Sequence, residues 1–173
     1  MKDTFSVIHS RKSVRNYTDA SVSKADLEKI IRAGMAAPTA VNMQPWSFLV
    51  VTERKRLDTL AEGLPNAKML FKAGAAIIVC TEADKAYNKN KDFAVIDASL
   101  AGENILLAVE ALGLGGIWTA AYPHADRMNH VRSALDIPKD VIPLNVIPIG
   151  IPSGADKPKD KYKKDKVHWE RWQ

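Results

Sequence analysis

With 173 residues, 46% of them hydrophobic and 26% charged, the chain can bury one sizeable core, and a single domain is expected over 1–173. The net charge of +5 is unevenly placed, because Lys157, Lys159, Lys161, Lys163, Lys164, Lys166 and Arg171 crowd the last seventeen residues. That asymmetry favours an anionic ligand over a generally basic surface, and no stretch is apolar for long enough to span a bilayer.

Met1 to Ser10 lacks the basic start, long apolar stretch and small-residue cleavage site of a secretory signal, so a soluble intracellular protein is expected. A short apolar segment, Phe5-Ser6-Val7-Ile8, then leads into Arg11-Lys12-Ser13-Val14-Arg15. Three cations and a hydroxyl within five residues make a phosphate clamp: arginine grips two oxygens with its planar fork, lysine adds a point charge and serine a donor. Read alone, the same five residues are equally a solvated basic turn.

Ser23 followed by Asp26 resembles a helix-start box, and Leu27, Ile30, Ile31 and Met35 recur at helical spacing to about Ala37, where Pro38 stops the helix. The uncharged loop Ala37 to Trp46 carries two prolines, which restrain its backbone, and the amides Asn42 and Gln44, which can meet the edge of a flat heterocycle. Phe48–Thr52 reads as a strand, and 53–62 as a helix ended by Gly63-Leu64-Pro65. Ala75–Thr81 reads as a buried strand. Its Cys80 is the only cysteine, which leaves no disulfide framework and points to the reducing cytoplasm.

The longest helix is predicted from Lys91 to Leu112, with Gly113 as its C-cap. Phe93, Ile96, Leu100, Leu107 and Ala111 lie on one side and Val95, Ile105, Leu106 and Val109 on others, so the helix must be buried over most of its circumference. In so small a chain a second copy is the economical cover, and a homodimer is expected. Asp97 and Glu103, on this helix, are expected to be buried carboxylates that bind backbone or partner groups, with a general-acid pair as the alternative.

Gly113-Leu114-Gly115-Gly116 follows a helix and precedes a strand, the reverse of a dinucleotide fingerprint. Its glycines therefore cap the helix and let backbone approach closely at Gly115 and Gly116. Strands over 115–120 and 141–149 flank a short helix near 126–135. The order helix, helix, strand, helix, strand, long helix, strand, helix, strand is a mixed chain without a doubly wound repeat. His9, His124, His130 and His168 show no metal spacing, so no metal is expected, and no nucleophile elbow is present. After Gly150 the lysine-rich tail cannot fold by itself, and Trp169 and Trp172 predict that it lies across a neighbour. Tyr162 and the two tryptophans among the lysines leave nucleic-acid binding as a weaker alternative.

Taken together, Arg11 to Arg15, Pro38 to Trp46, Gly113-Leu114-Gly115-Gly116-Ile117-Trp118 and Pro158-Lys159-Asp160-Lys161-Tyr162 are in register with one family. The chain resembles the FMN-dependent nitroreductases over nearly its whole length. The resemblance implies an α+β three-layer sandwich, a mostly antiparallel sheet between helices, in a domain-swapped homodimer. It implies that 151–173 form an extension wrapping the partner.

By the same resemblance, Arg11, Lys12, Ser13 and Arg15 look like the phosphate and ribityl contacts of FMN, with Arg15 also at the pyrimidine edge. Pro38, Thr39, Ala40 and Asn42 resemble the loop that the other subunit places beneath the isoalloxazine, with Gln44 close by. Trp118, Thr119, Ala120 and Ala121 match the segment whose backbone follows the ring. Lys159 and Lys161 match the late cations that complete the clamp, and Asn66 resembles the amide at the pyrimidine edge. Ala40 stands where the family commonly has serine, and Lys161 where it often has arginine, so one hydroxyl and one bidentate grip are absent.

The implied activity is transfer of hydride from NADH or NADPH through FMN to an acceptor such as a nitroaromatic or quinone, in ping-pong order. In such chemistry the flavin rather than a catalytic side chain reacts. A flavin-binding redox sensor, a reductive dehalogenase and a flavin-degrading enzyme are the alternatives. A cytoplasmic homodimer that binds neither nucleic acid nor membrane is the expectation.

Overall fold

The computed structural model describes residues 3–154 and 156–172. Five antiparallel strands make one sheet between two helical layers. Helix α1 (Thr4–Ser10) opens the chain, capped by the Asp3 carboxylate, and α2 (Lys24–Met35) begins where the Ser23 hydroxyl accepts from the Asp26 N–H at 3.1 Å. Strand β1 (Trp46–Val51), helix α3 (Arg54–Gly63) and strand β2 (Ala75–Glu82) follow.

Helix α4 (Lys91–Ala111) is capped by the Asn90 side chain and ends as the glycine predicts. Gly113 takes φ of +73°, and the Leu114 N–H reaches back to the Val109 carbonyl at 3.0 Å. Strands β3 (Gly115–Gly116) and β4 (Thr119–Ala120), helix α5 (Ala125–Leu135) and strand β5 (Val141–Gly150) complete the elements.

The strand order is β1-β2-β5-β3, with β4 also on β5. The strand expected over 115–120 is therefore interrupted. Gly116 faces Ile149 and Thr119 faces Val146 in one continuous register, which sets residue 117 opposite Pro148. Proline has no N–H to give, so the ladder breaks there.

Side chains alternate across β2. Ala76, Ile78 and Cys80 pack with α3 and α5 through Leu57, Leu60 and Val131, whereas Ala75, Ile77 and Val79 pack with α2 and α4 through Ile30, Ile105 and Val109. A bulge opposite Val79 and Cys80 leaves Leu144 unpaired, which turns it to the same core as Ile147 and Ile149.

The long helix is buried along Ala94, Ala98, Ala101, Ile105 and Val109, while Phe93, Ile96 and Leu100 stay exposed on its other side. Glu103 corrects an expectation: its side chain is half exposed, and the second buried acid of α4 is Glu110. The tail contains one short turn at Lys164–Lys166, and Trp169 and Trp172 are 76% and 87% exposed. Among the described residues no helix is long and apolar enough to cross a membrane.

Candidate functional site

The basic pentad is laid along the glycine-rich edge of the sheet. Val14 is buried, and its N–H donates to the Gly116 carbonyl at 3.1 Å. A Cβ on Gly115 would stand 2.7 Å from a Val14 methyl, so the close approach expected of these glycines is made by the pentad itself. With Val14 turned inward, Ser13 and Arg15 on either side turn outward. The Tyr17 hydroxyl donates to the Val14 carbonyl at 2.8 Å and fixes this arrangement from below.

Helix α4 orients the cations. Arg11 Nε lies 3.6 Å from Glu103 Oε1, and Lys12 Nζ donates to Glu110 Oε2 at 3.2 Å. The Ser10 hydroxyl donates to the other Glu110 oxygen at 2.8 Å. Lys12 is thus shared between the cleft and a buried acid, whereas the Arg15 guanidinium donates only to the Ser13 carbonyl among the described residues.

Facing the pentad across a cleft of about 670 Å³ is the tail, which supplies Lys157, Lys159 and Lys161. Four sequence-predicted pentad residues and both predicted tail lysines therefore line one cavity. Six cations against one lining carboxylate, Asp156, make it an anion site.

A second cleft of about 560 Å³ adjoins it, with Arg15 common to both. It is lined by Asn66 and by Trp118, Thr119 and Ala120, together with the apolar Ile117 and Met69. Thr119 presents backbone here, because its hydroxyl donates to the Val146 carbonyl at 2.6 Å. Ala121 lies fully buried in the core and lines neither cleft.

Two cations that sequence reasoning missed complete this second wall, Lys68 and Arg127. Lys68 is held by the carbonyls of Ala61 and Glu62 at 2.8 and 3.1 Å, at the C-terminal end of α3. Its signal in the sequence was position alone, two residues beyond Asn66.

The loop 38–44 is elsewhere. Its three-residue turn Ala40–Asn42 hangs from α4 by one bond, in which the Ala40 N–H donates to Asp97 Oδ1 at 3.1 Å. Val41, Asn42 and Gln44 all have positive φ, at 43°, 60° and 52°. For a β-branched residue such as Val41 this backbone is strained. The loop holds itself with bonds of 3.1 Å from the Gln44 N–H to the Thr39 hydroxyl and from the Gln44 amide to the Asn42 side chain.

Asp97 and Glu110 are thirteen residues apart on α4, roughly 20 Å along its axis. Pro38, Thr39, Ala40, Asn42 and Gln44 accordingly line neither cleft of their own chain. The expectation that Asp97 binds backbone is met; its Oδ2 is buried without a partner among the described residues. Gly102 of the same helix leaves room for Trp118, since a Cβ there would lie 2.5 Å from the indole.

No cluster of His, Cys, Asp and Glu suited to a metal occurs among the described residues. Burial pushes the Cys80 thiol up to about 12, which leaves it inert as a nucleophile near neutral pH.

A sequence model described as the Nitroreductase family matches residues 8–68 and 58–151. A protein of Methanothermobacter thermautotrophicus, provisionally named NADH dehydrogenase/NAD(P)H nitroreductase, is 41% identical over 98% of this chain and 88% of its own. A solved structure from Parabacteroides distasonis with the same provisional name is 46% identical, covers 99% of this chain and 100% of its own, and superposes with a TM-score of 0.92. An FMN-dependent nitroreductase of Clostridium difficile is 26% identical over 97% of this chain and 99% of its own, with a TM-score of 0.89.

Proposed function

Since this chain belongs to the nitroreductase family, we propose that it is an NAD(P)H-dependent FMN oxidoreductase acting as a homodimer in the cytoplasm. The observation that carries this reading is the pair of clefts joined at Arg15: one ringed by cations, the other walled by the stretch Ile117–Ala120 and Met69, with Asn66, Lys68 and Arg127 as its polar groups. That donor set fits FMN, whose phosphate needs charge-assisted donors and whose ring needs a dry wall and an edge partner.

Arg11, Lys12, Ser13, Arg15, Lys159 and Lys161 hold the phosphate end in this reading. The backbone of Trp118, Thr119 and Ala120 lies along the ring, and Asn66, Lys68 and Arg15 meet its polar edge. Cations on that edge stabilise negative charge that develops there during reduction. Ala121 acts only through the core behind this wall.

Pro38, Thr39, Ala40, Asn42 and Gln44 belong to the partner's site. They are too far along α4 to serve their own, and they sit in a strained turn that points exposed Val41 and Met43 outward. The exposed stripe of Phe93, Ile96 and Leu100 beside them is the proposed dimer face, and the tail 151–173 lays Trp169 and Trp172 on the partner. When bound, FMN supplies two-electron chemistry, taking hydride from NADH or NADPH and passing it in ping-pong order to a nitroaromatic or quinone.

The test is optical. Purified protein, reconstituted with FMN if needed, is expected to be yellow, to bleach anaerobically with NADH or NADPH, and to recolour with a quinone. Protein that retains no FMN contradicts the flavin site. Yellow protein that neither bleaches nor reduces a quinone is a flavin binder without turnover.

A further inference from the structure

Beyond Arg15 the two clefts of the flavin site continue into a third, of about 490 Å³, a volume in the range of small-molecule sites. It shares Arg15, Lys68 and Met69 with the ring cleft and adds Lys72, Phe71 and the polar Asn16 and Ser153. No acidic side chain lines it among the described residues. Lys72 makes no ion pair among those residues, unlike Lys12, which is tied to Glu110. Phe71 is exposed and offers a flat apolar surface beside the cations.

FMN carries one phosphate, and the cleft between pentad and tail already provides six cations for it. Arg15 and Lys68 also serve the flavin's polar edge in the proposed reading, so the cation this third cleft adds is Lys72, which is left for a different anion, one that reaches the ring cleft while its charge lies outside. Of the two substrates of the proposed reaction, the reduced dinucleotide has that shape: a neutral reacting ring, phosphates several bonds away, and an adenine that can lie on an aromatic side chain.

We propose that the cleft at Lys72 and Phe71 is the docking site for the phosphate-bearing half of the nicotinamide donor, with Lys72 contacting a phosphate and Phe71 the adenine. This inference rests on the flavin reading. The contacted phosphate is either the diphosphate, common to NADH and NADPH, or the 2′-phosphate of NADPH.

The experiment is anaerobic stopped-flow reduction of the FMN-loaded enzyme, comparing wild type with Lys72→Glu and Phe71→Ala. Lys72→Glu is expected to raise the apparent dissociation constant of the donor at least tenfold, leaving the bleaching rate at saturation, the flavin content and the KM for a neutral quinone unchanged. A rise for NADPH alone identifies the 2′-phosphate; a rise for both donors identifies the diphosphate. Phe71→Ala is expected to weaken both donors about threefold or more, and to leave reduced nicotinamide mononucleotide, which lacks adenine, unaffected.

Donor constants within twofold of wild type in both variants overturn the proposal. So does loss of flavin in Lys72→Glu, which would make the cleft part of the cofactor site, and so does an effect confined to anionic acceptors. Wild-type protein that binds no FMN would instead overturn the flavin reading itself.

Discussion

At the scale of single residues, the most consequential bond is the one from the Ala40 N–H to Asp97 Oδ1, since it ties a strained, uncharged loop to the longest helix. An acceptor is what the loop needs there, and the charge of the carboxylate is secondary. Asp97→Ala leaves the half-buried Ala40 N–H without its acceptor, which costs about 1 kcal/mol, the low end of the range for a stranded donor, and is expected to weaken FMN binding about fivefold or more. Asp97→Asn keeps an acceptor oxygen and is expected to restore binding to within about threefold, as read by flavin fluorescence titration. Equal failure of both variants would show that charge, not loop geometry, is what Asp97 supplies. Residue chemistry was legible in the pentad and the tail lysines because charge clusters announce themselves in sequence. Lys68 was not, because a lone lysine in a turn gains meaning only when folding brings it beside Asn66 and Arg15.

Among the elements, the helices and central strands were readable from caps and periodicity: the Ser23 box opens α2, and the apolar run from Lys91 with its Gly113 stop bounds α4, whose Asn90 cap came only with the structure. What was not legible was long-range pairing. The break between β3 and β4 depends on Pro148 lying opposite residue 117, and the depth of Glu110 depends on Ser10 and Lys12 folding back on it. The separation of the loop from its own clefts was legible only through the resemblance, which gives the loop to the other subunit; nothing in its residues alone encodes that distance. The tail is the element whose conformation makes least sense in one chain, with both of its tryptophans bare. Trp169→Ala with Trp172→Ala is expected to shift the sedimentation equilibrium toward monomer and to lower flavin content, because Lys159 and Lys161 ride on the same segment. A fully dimeric, fully loaded double variant would separate the tail from the interface.

For the molecule as a whole, two buried groups add to its response to alkali. Burial pushes the Cys80 thiol up to about 12, and burial, with the nearby Asp156 charge adding to it, raises the Tyr17 phenol above its ordinary value. Unfolded, the two release their protons near pH 8.5 and 10, roughly. Above about pH 9 the unfolded chain therefore binds fewer protons than the folded one, and stability falls as pH rises, by about 1.4 kcal/mol per unit for each group so shifted. Below about pH 8 both are protonated in either state, so the stability lost at higher pH is fully present there and does not change with pH. Urea unfolding at a series of pH values is expected to show this decline, and Cys80→Ala to reduce its slope between about pH 9 and 10; an unchanged slope would contradict it.

In the proposed dimer each flavin site is built from two chains, with the clamp and ring wall from one and the loop 38–44 from the other. This arrangement is tested by mixing two defects. Arg11→Ala removes a clamp cation and is expected to cost about 1.5–3 kcal/mol of FMN affinity, the range for a charged hydrogen bond. Ala40→Trp is expected to fill the space beneath the partner's flavin ring. Chains carrying one defect each, co-expressed with different tags and purified through both, form hybrids in which a shared site gathers both defects at one position and leaves the other intact. The hybrid is expected to recover one tightly bound, NAD(P)H-bleachable flavin per dimer where both parent variants are deficient. A hybrid as deficient as its parents would contradict it.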